Sequence, residues 1–169
     1  MHSAWRRAAV GKLFSISTPL CTYVYDVSVV RDQRSSETAS RVLIADDNGD
    51  TREMYALYLN MVGYRVDTAK DGHEAILKAR ALRPDLVVMD LQMPKLDGWA
   101  AIRELQSRAE TAAIPVIVLT GHDFKAYLKP AALAAGVVSY LMKPCFPEQL
   151  AREVGACLRA PRNRAASAR

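Results

Sequence analysis

The chain has 169 residues, half of them hydrophobic and 24% charged, which suits one soluble globular domain with tails. A net charge of +5 invites a nucleic-acid reading, but residues 1–40 carry five basic and three acidic residues, residues 41–158 carry 14 and 15, and residues 159–169 carry four and none. The excess sits at the ends, so neither a folded DNA-binding face nor direct nucleic-acid binding is expected, and no apolar run is long enough to suggest a membrane span. Three cysteines, Cys21, Cys145 and Cys157, form neither a C-x-x-C pair nor an even set, which reads as reduced thiols in a cytoplasmic protein.

Residues 1–40 show no convincing periodicity. Trp5-Arg6-Arg7 and Lys12 faintly suggest a targeting segment, yet no clear hydrophobic segment with a cleavage site follows. The segment reads as an N-terminal extension, disordered or linker-like, ending in the polar stretch 31–40. Val42-Leu43-Ile44-Ala45 is then a first apolar strand running into Asp46-Asp47. The next segment is helical: Asp50 with Glu53 three residues on has capping-box spacing, and Met54, Leu57, Tyr58 and Met61 form the expected inward stripe. Gly63 ends that helix, and Tyr64 to Ala69 alternates as an edge strand does. Asp71 opens a second helix with Ala75, Ile76, Ala79 and Leu82 inward, stopped before Pro84. Leu86-Val87-Val88-Met89 runs into Asp90, and a helix follows Gly98 with Trp99, Ile102 and Leu105 on its core face. Val116-Ile117-Val118-Leu119 runs into Thr120. Pro130 disturbs the next helical segment, which is expected either to kink after starting near His122 or to run only from Pro130 to Gly136. Val138 to Met142 leads into Lys143-Pro144, and the last helix, Pro147 to Leu158, is amphipathic through Leu150, Val154, Cys157 and Leu158. Residues 159–169 read as a disordered basic tail.

Strands alternating with helices argue for an α/β fold, a doubly wound five-stranded parallel sheet with helices on both faces. Runs one, three and four are continuously apolar, as interior parallel strands are, while runs two and five alternate as edges do. The pattern fits the flavodoxin-like order 2-1-3-4-5, whose ligand site lies beyond the carboxyl ends of the strands. Asp46, Asp47, Asp90, Thr120 and Lys143 all fall there. Adjacent carboxylates repel unless a cation joins them, and Mg²⁺ suits one or two carboxylates, waters and phosphate oxygens. Asp90 could also attack phosphorus as a carboxylate nucleophile, with Lys143 as a point charge and Thr120 as a hydroxyl donor. Each residue alone has an ordinary explanation as a helix cap or a solvated loop charge; the coincidence at successive strand ends does not.

These residues give a resemblance. Residues 41–158 look like a bacterial response-regulator receiver domain of the CheY-like type, through Asp46-Asp47, Asp90 within Met89-Asp90-Leu91-Gln92-Met93-Pro94-Lys95-Leu96-Asp97-Gly98, Thr120-Gly121 and Lys143-Pro144. The separations of 43, 30 and 23 residues between Asp47, Asp90, Thr120 and Lys143 also agree. The resemblance implies that Asp90 is the phosphoacceptor. It implies Mg²⁺ held by Asp47 and Asp90, by Asp46 mainly through water, and by the Gln92 backbone carbonyl. Lys143 would pair with Asp90 at rest and with the phosphoryl group afterwards, and Thr120 and Tyr140 would be the switch pair. The Lys143-Pro144 bond is a candidate cis peptide, and Gly98 is a candidate for positive φ. Gly121 would leave room for a phosphodonor, while Gln92 and His122 would flank the phosphoryl group and influence attack by water, although His122 also fits a plain exposed loop position. The implied activity is not that of an enzyme in the ordinary sense but of a stand-alone phosphoacceptor in a two-component phosphorelay, with self-catalysed phosphotransfer and dephosphorylation. A sensor histidine kinase or histidine phosphotransfer protein would supply the phosphoryl group, and an unknown downstream protein target would read it. The protein itself would be a monomer or weak homodimer. The competing expectation is a phosphorylation-independent interaction module on the same fold.

Overall fold

The apolar runs become strands because the residues of each one are divided between two cores. In the computed structural model, which describes residues 39–121 and 136–160, β1 (Arg41–Ala45), β2 (Arg65–Ala69), β3 (Leu86–Met89), β4 (Val116–Thr120) and β5 (Val137–Met142) form one parallel sheet. Its order is β2-β1-β3-β4-β5, as the burial pattern of the sequence predicts. Every residue of β3 and β4 is buried, whereas β2 and β5 have mixed exposure. Among the described residues the helices are α1 (Gly49–Met61), α2 (Gly72–Leu82), α3 (Gly98–Ser107) and, after β5, α4 (Pro147–Arg159).

Successive strand residues point to opposite faces. Leu43, Ala45, Val87, Met89, Val116 and Val118 therefore pack with Ala75, Ile76 and Ala79 of α2 and Ala101, Ile102 and Leu105 of α3. Val42, Ile44, Leu86, Val88, Ile117 and Leu119 pack on the other side with Tyr55 and Leu59 of α1 and Leu150 and Val154 of α4. Fully burying one such side chain is worth about 1.5–3 kcal/mol, so the two layers pin the register of all five strands.

Helix boundaries follow local chemistry, with two departures from the sequence expectation. Asn48, not Asp50, caps α1, its side chain accepting from the Thr51 N–H; Asp50 lies inside the first turn, where an acid favours the helix dipole. The inward face of α1 is Tyr55 and Leu59, while Met54, Leu57 and Met61 are 43%, 66% and 71% exposed. Asp71 caps α2 as expected, through the Glu74 N–H. Asp97 does the same for α3 through the Ala100 N–H. Gly63 closes the end of α1 at φ +99°. The segment around His122 and Pro130, the N-terminal extension to residue 38, and the tail from residue 161 lie outside the described residues.

Candidate functional site

The parallel pairing of β1 with β3 sets Ala45 level with Met89, so Asp46 and Asp90 leave the sheet side by side. The Asp90 N–H donates to the Ala45 carbonyl at 2.9 Å, fastening the two strand ends together. Thr120 and Met142 are register partners at the ends of β4 and β5, and the Lys143 N–H donates to the Thr120 carbonyl at 2.9 Å. Lys143 thus starts two strands away from Asp90, yet its ammonium reaches both acids. Nζ donates to Asp46 Oδ2 at 2.6 Å and to Asp90 Oδ2 at 2.5 Å.

The second oxygen of each acid is occupied as well. Asp46 Oδ1 accepts from the Asn48 N–H and Asp90 Oδ1 from the Gln92 N–H, so each carboxylate folds the chain that follows it. Burial of Lys143 works against its charged form, but the hydrogen bonds to Asp46 and Asp90 outweigh it and hold its pKa above the ordinary lysine value. The ammonium therefore stays protonated across the physiological range.

Asp46 and Asp90 are buried and Asp47 is exposed, and one oxygen from each lies within 4.8 Å of the others. An all-oxygen set with two acids turned inward and one at the mouth suits a hard divalent cation that keeps several waters. The carboxylates present therefore fit Mg²⁺. Gln92 is exposed. Thr120 is fully buried, and Tyr140 is partly buried against the α2–α3 core. A Cβ built on Gly121 meets nothing within 4 Å among the described residues. His122 lies outside the described residues.

Two expectations about the surrounding loops have opposite outcomes. The Lys143-Pro144 bond is cis, as the X-Pro chemistry permits, but Gly98 does not take positive φ. A side chain at Gly98 would instead collide with the carbonyl oxygen of Asp90 and meet the Leu91 Cα at 2.8 Å. Close approach, not handedness, requires the glycine; it is Lys95, at φ +68°, that turns left-handed in this loop.

Sequence reasoning also missed two braces. Arg52 Nη1 donates to the Asp46 carbonyl at 2.7 Å, holding the β1–α1 loop from the first turns of α1. The buried Tyr55 hydroxyl donates to the Cys145 carbonyl at 2.8 Å, tying α1 to the chain just after Lys143-Pro144. Burial raises the Tyr55 phenol to about 12, with the neighbouring Cys145 and Asp46 adding to the shift against the lowering effect of Lys143. No spacing signal marks either residue: Arg52 reads as a solvated charge and Tyr55 as one apolar residue among many.

The sheet order and the lysine-bridged acid cluster at its carboxyl edge define a flavodoxin-like domain of the CheY type. A family model described as the response regulator receiver domain matches residues 42–155, and the chain belongs to that family. Among curated relatives, it is 40% identical over 119 residues to response regulator MprA of Mycolicibacterium vanbaalenii, covering 70% of this chain and 50% of that protein. It is also 37% identical over 123 residues to "Probable transcriptional regulator ycf27" of Guillardia theta, covering 73% and 47%. The chain thus spans about half the length of the curated relatives it matches. Among solved structures, chemotaxis response regulator CheY4 of Vibrio cholerae is 31% identical with a TM-score of 0.65, covering 70% of this chain and 98% of that one. The receiver domain of sensor histidine kinase PA1611 from Pseudomonas aeruginosa, described with a magnesium ion coordinated in its active-site cleft, is 30% identical with a TM-score of 0.64, covering 71% and 98%.

Proposed function

We propose that this receiver domain accepts a phosphoryl group on Asp90 from the phosphohistidine of a kinase or phosphotransfer protein, and that the change is read by a partner. The observation that carries this reading is the Lys143 ammonium, held at 2.6 and 2.5 Å between Asp46 and Asp90. In the transfer, an Asp90 carboxylate oxygen forms a bond to phosphorus while the donor's P–N bond breaks, and the imidazole leaves with that electron pair. Mg²⁺, held by Asp47, Asp90 and the Gln92 carbonyl, with Asp46 acting mainly through water, would offset charge on the phosphoryl oxygens. Lys143 orients the Asp90 carboxylate beforehand and donates to a phosphoryl oxygen afterwards. Thr120, at the end of the neighbouring strand, is the hydroxyl donor, and Tyr140 is its partner in the switch.

The exposed stripe Met54, Leu57 and Met61 on α1, with Phe146 (77% exposed) ahead of α4, is the docking face for the donor's helix. The first belongs to the helix that follows Asp46, and the second directly precedes the helix that follows Lys143. Incubation with radiolabelled acetyl phosphate and Mg²⁺ tests the reading: label is expected on the wild-type chain and absent from Asp90→Asn. A wild-type chain that takes no label from acetyl phosphate or from any cognate kinase favours the phosphorylation-independent interaction module. The ycf27 relative is named a transcriptional regulator and is about twice the matched length, which favours a second reading in which the output is DNA binding. A gel shift that depends on phosphorylation would select that reading over a protein partner.

A further inference from the structure

The loop after Asp90 contains a lysine where its backbone favours glycine. Lys95 sits at φ +68°, and the Leu96 N–H returns to the Pro94 carbonyl at 2.8 Å, closing a three-residue turn of the rare, strained hand. Glycine would adopt this turn freely. The lysine side chain supplies what glycine cannot: Nζ donates to Asp71 Oδ2 at 2.7 Å. Asp71 is not a loose surface acid. Its side chain is 6% exposed, and its other oxygen caps α2 through the Glu74 N–H. The same stretch of loop is pressed onto α2 at Gly72, where a built Cβ would meet the Leu96 carbonyl oxygen at 2.5 Å. At its far end the Gly98 N–H donates to the Leu91 carbonyl at 3.0 Å. Leu91 and Met93 are buried in the α2–α3 core.

We infer that Lys95 is a positioning residue for the site: with Asp71 it anchors the 91–97 loop to the start of α2 and so fixes where the Gln92 backbone faces the acid cluster. The inference rests on the proposed function, in which that backbone carbonyl serves the bound cation. Lys95 is 62% exposed on its side chain, so the pair adds little to global stability; its effect is on where the loop sits.

The sign of one measurement separates anchoring from simple electrostatics. Removing a positive charge near a cation site should tighten Mg²⁺ binding by Coulomb's law alone, whereas losing an anchor should weaken it. Mg²⁺ titration of the ¹⁵N-labelled full chain, read by amide shifts, is the test. Lys95→Gly is expected to bind Mg²⁺ about tenfold more weakly, a loss of the size that outer-shell changes produce, with no fall in thermal unfolding midpoint because the turn is relaxed. Lys95→Arg should restore wild-type affinity. Asp71→Asn keeps the cap but loses the ion pair, so it should weaken binding similarly, and the Lys95→Gly/Asp71→Asn double variant should lose no more than either single one. Unchanged or tighter Mg²⁺ binding in Lys95→Gly, or additive losses in the double variant, would overturn the inference while leaving the phosphoacceptor reading intact. A wild-type chain that binds no Mg²⁺ and takes no label on Asp90 would remove both.

Discussion

Lys143→Met keeps the aliphatic stem and deletes the ammonium that joins Asp46 to Asp90. The Asp46 and Asp90 side chains are only 2% and 7% exposed, against 21% for Lys143, so two nearly dry carboxylates lose their shared cation. Hydrogen bonds to charged groups are worth about 1.5–3 kcal/mol each, and stranding one side of a buried pair costs about 3–5 kcal/mol. Uptake of a proton or of water at the mouth relieves part of this, so a loss of about 3 kcal/mol is expected in chelator. For a domain of this size that is on the order of 10 °C in thermal midpoint. Saturating Mg²⁺ should return much of it, because a cation that binds only the folded state stabilises by RT ln(1 + [L]/Kd). The variant should gain more from Mg²⁺ than the wild type does, since no ammonium competes for the same oxygens. Thermal unfolding followed by circular dichroism, with chelator and with excess Mg²⁺, measures both. A loss below about 1 kcal/mol in chelator, the range of exposed ion pairs, would refute the reasoning, as would an Mg²⁺ gain no larger than that of the wild type.

Tyr55→Phe should flatten the alkaline stability profile. The unfolded phenol ionises near 10 and the buried one near 12, so between those values the unfolded chain holds fewer protons and wild-type stability falls by about 1.4 kcal/mol per pH unit; equal slopes in urea melts of the two proteins would contradict this. Gly98→Ala drives a methyl onto the Asp90 carbonyl, so α3 or the end of β3 must shift. A loss of about 1–3 kcal/mol with slower labelling from acetyl phosphate is expected, and wild-type behaviour in both assays would show that the approach is not a constraint. Leu57→Glu places a charge in the exposed α1 stripe; transfer from a phosphohistidine donor should drop at least about tenfold, as for an interface hot spot, while labelling by acetyl phosphate is unchanged. Equal loss with both donors would place Leu57 in folding instead of docking.

The sheet was legible because burial on two faces leaves a direct mark on composition. The central strands show no alternation of polar with apolar residues; Leu86 to Met89 and Val116 to Thr120 are buried throughout, while Arg65 to Ala69 is not, and order follows from that contrast. The acid cluster was legible for a related reason, since a strand that ends in the core must release its next residue at the sheet edge. The phase of α1 was not. Met54, Tyr55, Ala56, Leu57, Tyr58, Leu59 and Met61 put apolar groups nearly all round that helix, so periodicity admitted more than one inward face. The sheet chose Tyr55 and Leu59, whose hydroxyl and isobutyl groups meet the β5–α4 junction and the strand layer, and left the methionines outside. The Lys95–Asp71 pair was hidden because its partners are 24 residues apart, on loops whose approach depends on two glycines.

Coupling between the site and a distant surface follows from where Lys143 is attached. Its backbone N–H is bonded to Thr120 and its ammonium to two acids, so any change in the charge at Asp90 bears on the ends of β4 and β5 together. The proposed phosphorylation of Asp90 would replace one carboxylate charge with about −1.5 to −2 near neutral pH, beside the same ammonium that also neutralises Asp46. Two residues before Met142, Tyr140 reaches into the α2–α3 core, while its neighbour Leu141 reaches into the α1–α4 core. A shift at the end of β5 therefore cannot be absorbed by one layer alone. Close-packed layers respond by exchanging one arrangement for another, not by yielding gradually, and a free-energy difference of about 1.4 kcal/mol between two such arrangements already changes their ratio tenfold. A single ammonium shared between two buried acids is enough to set a difference of that size, so under the proposed function the phosphoryl group would not have to touch the surface that a partner reads.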